Sequence, residues 1–396
     1  MRKSFKNIFS VFKREIHLIT HDVNLISVLL LAPLFYSFFY GSIYFNKVET
    51  NVPIAVVDMD HSELSEKLIR MLDANQLISV NEVLPDYNSA KSDLENGTIQ
   101  GIVFLPDGYE AGLKSAKGTD VKVYLNTTRF LVSNDINKGV NEVLGTLGMG
   151  VRMKYFQANG YSYEQSKELI EPLKLDMRPM FNFTESYGDF LIPAILVLII
   201  HQTLMIGLSE SIAKEREHNL IHELYASSNK NVRIAVVGKG LFYFMLYSAY
   251  AFFFFTVNFS VFKIRFEGNV LAFTVLTFEM VLAVIFMSIF ISSFFKRKII
   301  ALQFLTLTSY PLFLMSGYSW PMSSMPWYLQ AFSNMIPMTP YLNAFVRITQ
   351  MGAGWYEVFP QIVQLAVLVF ISFIASTVRM SSLFSNVKQI SFSNGG

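Results

Sequence analysis

Among the side chains that carry chemistry, His218 and His222 come closest to an organised set, four residues apart with Glu215 and Glu223 beside them. On a helix that spacing shares one face, where two imidazoles and a carboxylate would offer three ligands to zinc. Solvated or docking histidines have the same spacing far more often, and no H-E-x-x-H occurs, so no metal is assigned. Asp58 and Asp60 follow a strand-like run and would suit a cation, but carboxylates there more commonly cap a helix. The chain has no cysteine, which excludes disulfides, zinc thiolate sites and thiol nucleophiles. It lacks G-x-S-x-G, and Gly238-Lys239 has neither the first glycine nor the following hydroxyl of a phosphate-cradling G-x-x-x-x-G-K-[ST]. No catalytic residue or cofactor is assigned to this chain.

Three further polar groups stand out because they interrupt apolar runs, where they are costly: His201, Gln202 and Glu279. Each either lines a solute path or makes a static hydrogen bond between helices. For Glu279 both readings stand; for His201 and Gln202 the static bond is favoured, since neutral polar groups can satisfy one another.

The elements that must position these groups are membrane helices. With 52% hydrophobic and 16% charged residues over 396 positions, and a mean hydropathy of +0.37, the chain is too apolar for a soluble globular protein. Its net charge of +2 gives no reason to expect nucleic acid. Six runs meet the requirement of about 20 apolar residues per crossing: 23–44, 190–209, 240–262, 270–295, 299–318 and 358–378. Lysine and arginine crowd the N-terminus, the loop 214–239, the 296–298 turn and the tail 379–388, which the positive-inside rule places in the cytoplasm. The connection 263–269 breaks the pattern, since it carries Lys263 and Arg265 on the outer side.

Residues 1–22 predict a basic interfacial helix, with Phe5, Ile8, Phe9, Phe12, Ile16 and Ile19 on one face. Residues 46–186, between spans 23–45 and 187–209, predict an extracytoplasmic α/β plus helical domain: strands at 52–58, 78–83, 99–105 and 121–125 alternate with helical stretches. Residues 214–239 break one apolar run from the next. Within them Leu220, Ile221, Leu224 and Tyr225 recur at helical spacing, while Glu215, Glu217, His218, His222 and Glu223 spread over the remaining surface. That describes a short amphipathic helix, suited to lying on a bilayer or docking on a partner. Residues 238–379 hold the last four spans with an outer re-entrant segment at about 319–345, whose prolines and Trp320, Trp327 and Tyr328 predict broken helices at the interface. The last residues, 381–396, read as a polar mobile tail. The fold class is thus an α-helical membrane protein with six transmembrane helices, an inserted extracytoplasmic α/β domain and an amphipathic cytoplasmic helix.

Lys214-Glu215-Arg216-Glu217 with Glu223-Leu224 and then Gly238-Lys239 resembles the cytoplasmic R-E-x-E/G…E-x-L…GK segment of type-2 ATP-binding-cassette (ABC) permeases. Ser316-Gly317, Pro321, Met325-Pro326, Gln330, Pro337, Thr339-Pro340 and Arg347 are similar to that family's S-G-x-x-x-P-x-x-x-M-P…Q…P-x-T…R segment. The strand and helix from Val52 look like the outer domain of the subgroup with a large first loop; His218-Asn219-Leu220 departs from the family's usual Gly-Thr pair. The resemblance implies an exporter subunit of the bacterial inner membrane, moving a drug-like, lipid-like or other envelope substrate and paired with a second permease chain, identical or paralogous. ABC ATPase subunits would carry ATP and Mg, and a periplasmic membrane-fusion adaptor is a further implied partner beside the lipid bilayer. Glu215, Arg216, Glu217, Leu220, Glu223 and Leu224 would then form the coupling helix through which the ATPases act. Two other classes compete: an ion-coupled carrier, which would show ion dependence without ATP, and a membrane-anchored receptor, in which the outer domain binds a ligand.

Overall fold

Among the described residues of the computed structural model, six helices are long and apolar enough to cross a bilayer: span 1 (Val23–Ile43), span 2 (Tyr187–Glu217), span 3 (Val232–Val261), span 4 (Val270–Ser292), span 5 (Lys298–Met315) and span 6 (Trp355–Ser385). The structure describes residues 2–47, 49–115, 118–170, 178–182 and 185–393. Two units separate along the chain, Met1–Lys47 with Pro179–Gly396, and Val48–Arg178.

In the first unit span 2 is the centre, with Leu196, Val197, Ile200, Leu204 and Leu208 fully buried. Span 4 packs against spans 2, 3 and 6. Spans 1, 5 and 6 instead leave rows such as Leu31 and Phe35, Phe304 and Leu307, and Phe370 and Ile374 exposed, as surfaces meant for lipid or another chain do. Span 2 runs eight residues past its expected end, because 210–217 contain only tolerable helix formers, and the chain turns at Asn219, where φ is +57°. The helix of span 6 continues to Ser393, so the expected loose tail is helical as far as the structure describes it; neither glycine nor proline interrupts 361–393, and Leu383 and Phe384 are buried. Span 3 contains a π-helical turn at Phe254–Asn258.

The N-terminal helix, Arg2–Thr20, lies along span 3. Its inward line is Val11, Glu15 and Ile19, whereas Phe5 and Phe9 stay exposed, so the packed face is rotated from the expected one. Gly238 lets the two backbones approach: a Cβ there would stand 2.7 Å from the Val11 Cβ.

The second unit holds a four-stranded sheet in the order β2-β1-β3-β4, formed by β1 (Val52–Asp58), β2 (Ile78–Leu84), β3 (Gly101–Leu105) and β4 (Lys122–Leu125). β1 is central and parallel to β2 and β3, while β4 is antiparallel. Because side chains alternate along β1, Ile54 and Val56 join one core with Leu68, Leu72 and Ile136, and Ala55 and Val57 join another with Ala90 and Ile102. Ser62 caps the helix Glu63–Asp73, and Gly97, at φ +79°, ends the helix Tyr87–Asn96. Asp58 accepts from the N–H groups of Asp60 and His61 and from the Ser65 hydroxyl, and Asp60 accepts from the Glu110 N–H, so both carboxylates serve as turn and cap acceptors.

Candidate functional site

The last turn of span 2 is a hub. Four consecutive helical residues fan out about 100° apart, so Lys214, Glu215, Arg216 and Glu217 point in four directions. Lys214 pairs with Asp22, the cap of span 1. Glu215 is buried and pairs with Arg14 of the N-terminal helix, with Lys239 of span 3 at 3.4 Å. Arg216 donates to the carbonyls of Ser293 and, at 2.8 Å, Phe295, which close span 4. Glu217 accepts from the Lys298 N–H at 2.9 Å, where span 5 begins. One helix end is thereby tied to five others, if the N-terminal helix is counted.

Behind the hub lies a buried ion network. The Lys239 ammonium is 2.6 Å from Glu15 and donates to the Ser211 hydroxyl at 2.9 Å. Tyr243 and Ser211 donate to the other Glu15 oxygen at 2.8 and 2.7 Å. Burial alone would raise the Glu15 carboxyl, but Lys239 and these two hydroxyls hold it below its ordinary value. The carboxylate therefore stays charged at neutral pH, and its contribution to stability is lost progressively as pH falls from the ordinary carboxylate value through the lowered one.

After the turn comes a short helix, Ile221–Ser227. Ile221 and Leu224 are buried and Tyr225 meets Phe384 of span 6, ring centroids 5.0 Å apart, while His222, Glu223 and Ala226 are exposed. Arg14 ties this piece to the end of span 2, reaching Glu215 in that helix, the Leu220 carbonyl at 3.2 Å in the turn and Glu223 at 3.5 Å in the short helix. Burial works against the guanidinium's charge, but Glu215 and its neighbouring carboxylates raise Arg14 above its ordinary value.

These contacts correct the expected single amphipathic helix. It is two pieces, broken at Asn219. Glu215 belongs to the bundle interior, because Arg14 and Lys239 meet it there. Leu224 faces the bundle, and Leu220 is half-buried, so the exposed surface is Glu217, His218, Asn219, His222, Glu223 and Ala226. The break also removes the shared face assumed for His218 and His222, and among the described residues no cluster has a metal-ligand arrangement. Glu15, Arg14, Ser211 and Tyr243 carry no motif, and Lys239 enters the sequence reading only through the Gly238-Lys239 pair. The available signal was a carboxylate on the line Val11-Glu15-Ile19 and a lysine entering an apolar run.

The other selected residues lie elsewhere. Span 5, 18 residues or ~27 Å long, separates the hub from the segment that follows it. There Gly317 turns the chain at φ +85°, and two helices, Trp327–Ser333 and Met338–Thr349, each start directly after a proline, Pro326 and Pro337. Buried Ser316 bonds back to Phe313, and Gln330 to the Met325 carbonyl at 2.8 Å. Ser333 bonds the Met315 carbonyl at 2.5 Å and Thr339 at 2.9 Å, tying the two helices to the end of span 5. Pro337 and Pro340 are buried, Pro321 and Pro326 exposed, and Arg347 half-buried in the last turn.

Midway along span 2, Gln202 donates to the Leu305 carbonyl of span 5 at 3.2 Å, which is the static cross-helix bond. His201 is buried with neither ring nitrogen bonded, and one Glu279 oxygen is likewise buried without a partner, among the described residues. His201 and Gln202 do not satisfy one another.

A family model described as ABC-2 family transporter protein matches residues 24–378. Over 389 residues the chain is 20% identical to the inner membrane transport permease YhhJ of Escherichia coli strain K12, covering 92% of this chain and 94% of that one. The permease of the same name from Shigella flexneri matches to the same extent. The ABC transporter G family member 20 of Dictyostelium discoideum is 22% identical over 334 residues, which is 82% of this chain and 44% of that protein.

Proposed function

The chain belongs to the ABC-2 transporter family and is a membrane permease of an ABC transporter; from that premise we propose that separate ATPase subunits dock on its exposed surface at 217–226. This end of the bundle, with the N-terminus and tail, faces the cytoplasm of an inner-membrane exporter. Two permease chains form the path, and the segment 316–347 caps its outer mouth. The cargo is a drug-like, lipid-like or other envelope substrate.

The observation that carries this reading is the hub. A push on 217–226 reaches the N-terminal helix through Arg14, span 1 through Lys214, span 4 through Arg216 and span 5 through Glu217, so one docking event moves several helices together. Glu223 and the histidines offer polar contacts to a partner, while Ile221 and Leu224 hold the piece to the bundle.

Ala226 is the position for a test, being exposed and on the short helix. With the cognate ATPase co-expressed, Ala226→Arg should leave the permease's yield and thermal stability unchanged and reduce the co-purified ATPase at least about tenfold, the effect of losing roughly 1.4 kcal/mol of binding. Full ATPase recovery with that variant would refute the docking assignment.

A further inference from the structure

An aromatic groove between spans 3 and 4 lies apart from the hub. It encloses about 300 Å³ and is lined mainly by Phe252, Phe255, Phe266, Phe273, Phe278 and Thr274. That volume falls in the range of small-ligand pockets, roughly 300–1,000 Å³. Phe255 belongs to the π-helical turn of span 3, a distortion that often accompanies function. Phe252 and Phe278 are exposed, so the groove is open to the side. On span 4 it runs from Val270, the first helical residue, to Phe278, ~12 Å, close to the ~15 Å of one leaflet's hydrocarbon.

At the span end the wall changes character within two consecutive residues. Phe266 lines the groove, and Arg265 lines a second cavity of about 210 Å³ together with Lys47, Lys263, Asp189 and Gln350. Lys47 pairs with Asp189 at 2.5 Å and donates to the Lys263 carbonyl at 3.0 Å. Among the described residues Lys47, Lys263 and Arg265 line this cavity, with Asp189 as the partner of Lys47.

The geometry points to a bound anionic phospholipid, one acyl chain lying in the aromatic groove and the phosphate beside Lys263 and Arg265. A bilayer supplies acyl chains at the depth of the groove and phosphates at the level of its mouth. The site explains why Lys263 and Arg265 stand against the charge pattern of the other connections: they match a lipid headgroup. It does not depend on where the ATPases dock.

The test uses the full chain in mild detergent with phosphatidylglycerol, phosphatidylcholine and inorganic phosphate as probes, read by native mass spectrometry. Wild type should retain phosphatidylglycerol preferentially, without competition from inorganic phosphate. Lys263→Gln with Arg265→Gln should bind it on the order of 30-fold more weakly, at about 1 kcal/mol per cation. Thr274→Trp, which fills the groove and leaves the cations, should abolish retention of both lipids. Unchanged phosphatidylglycerol binding by the charge variant overturns the proposal, as does competition by inorganic phosphate. A Thr274→Trp chain that keeps its lipid but loses self-association would assign the groove to a second copy instead. If Thr274→Trp does not fold, the charge variant still decides.

Discussion

Lys239→Met is expected to cost about 3–5 kcal/mol, because it leaves the fully buried Glu15 carboxylate without its cation. Lys239 is 1% exposed and Glu15 0%, so solvent cannot compensate either charge. The Tyr243 and Ser211 hydroxyls still donate to Glu15, but hydroxyls do not neutralise it. Thermal unfolding in detergent should show a clear loss of stability, with the N-terminal helix released first. Glu15→Gln placed in the same chain removes the orphaned charge and should recover most of the loss. If the double variant is no more stable than Lys239→Met, the pair acts through packing and the electrostatic account of the hub fails.

Leu224→Asp should have an effect of comparable size for a different reason. Leu224 is fully buried where the short helix meets the bundle, and replacing it removes apolar contact and sets a carboxylate in its place. Large-to-small changes at such positions cost about 2–5 kcal/mol before the charge is counted. The short helix should detach, and transport should fall at least about tenfold while the rest of the bundle remains folded. Leu224→Met, which keeps volume and polarity, should cost less than about 1.5 kcal/mol and transport nearly normally. Transport assays in vesicles, with circular dichroism on the same preparations, separate the two outcomes. Normal transport by Leu224→Asp would mean that the piece 221–227 transmits nothing.

The spans were legible because a bilayer demands some twenty apolar residues in a row and little else. Local signals also read well where they act within four residues, as with Ser62 before its helix and Gly97 after its own. The hub was not legible. Glu15 and Lys239 are 224 positions apart, and nothing local marks them as partners. Glu215 looked like a surface charge because it stands in a charged run; only Arg14 and Lys239, brought in from other helices, make its burial tolerable. The break at Asn219 was hidden too, since a left-handed asparagine resembles any other polar residue in a helical pattern. The outer segment was more open to reading: its prolines, which cannot continue a helix, stand where the two short helices start.

The proposed docking at 217–226 is open to one direct measurement, favoured by the absence of native cysteine: Ala226→Cys gives the chain a single thiol. In sealed vesicles of known orientation, a membrane-impermeant maleimide should label it only from the cytoplasmic face. Saturating ATPase subunit should suppress that labelling, and its removal should restore it. Labelling from the opposite face, or labelling indifferent to the ATPase, would contradict the claim that partners drive this permease through the end of span 2.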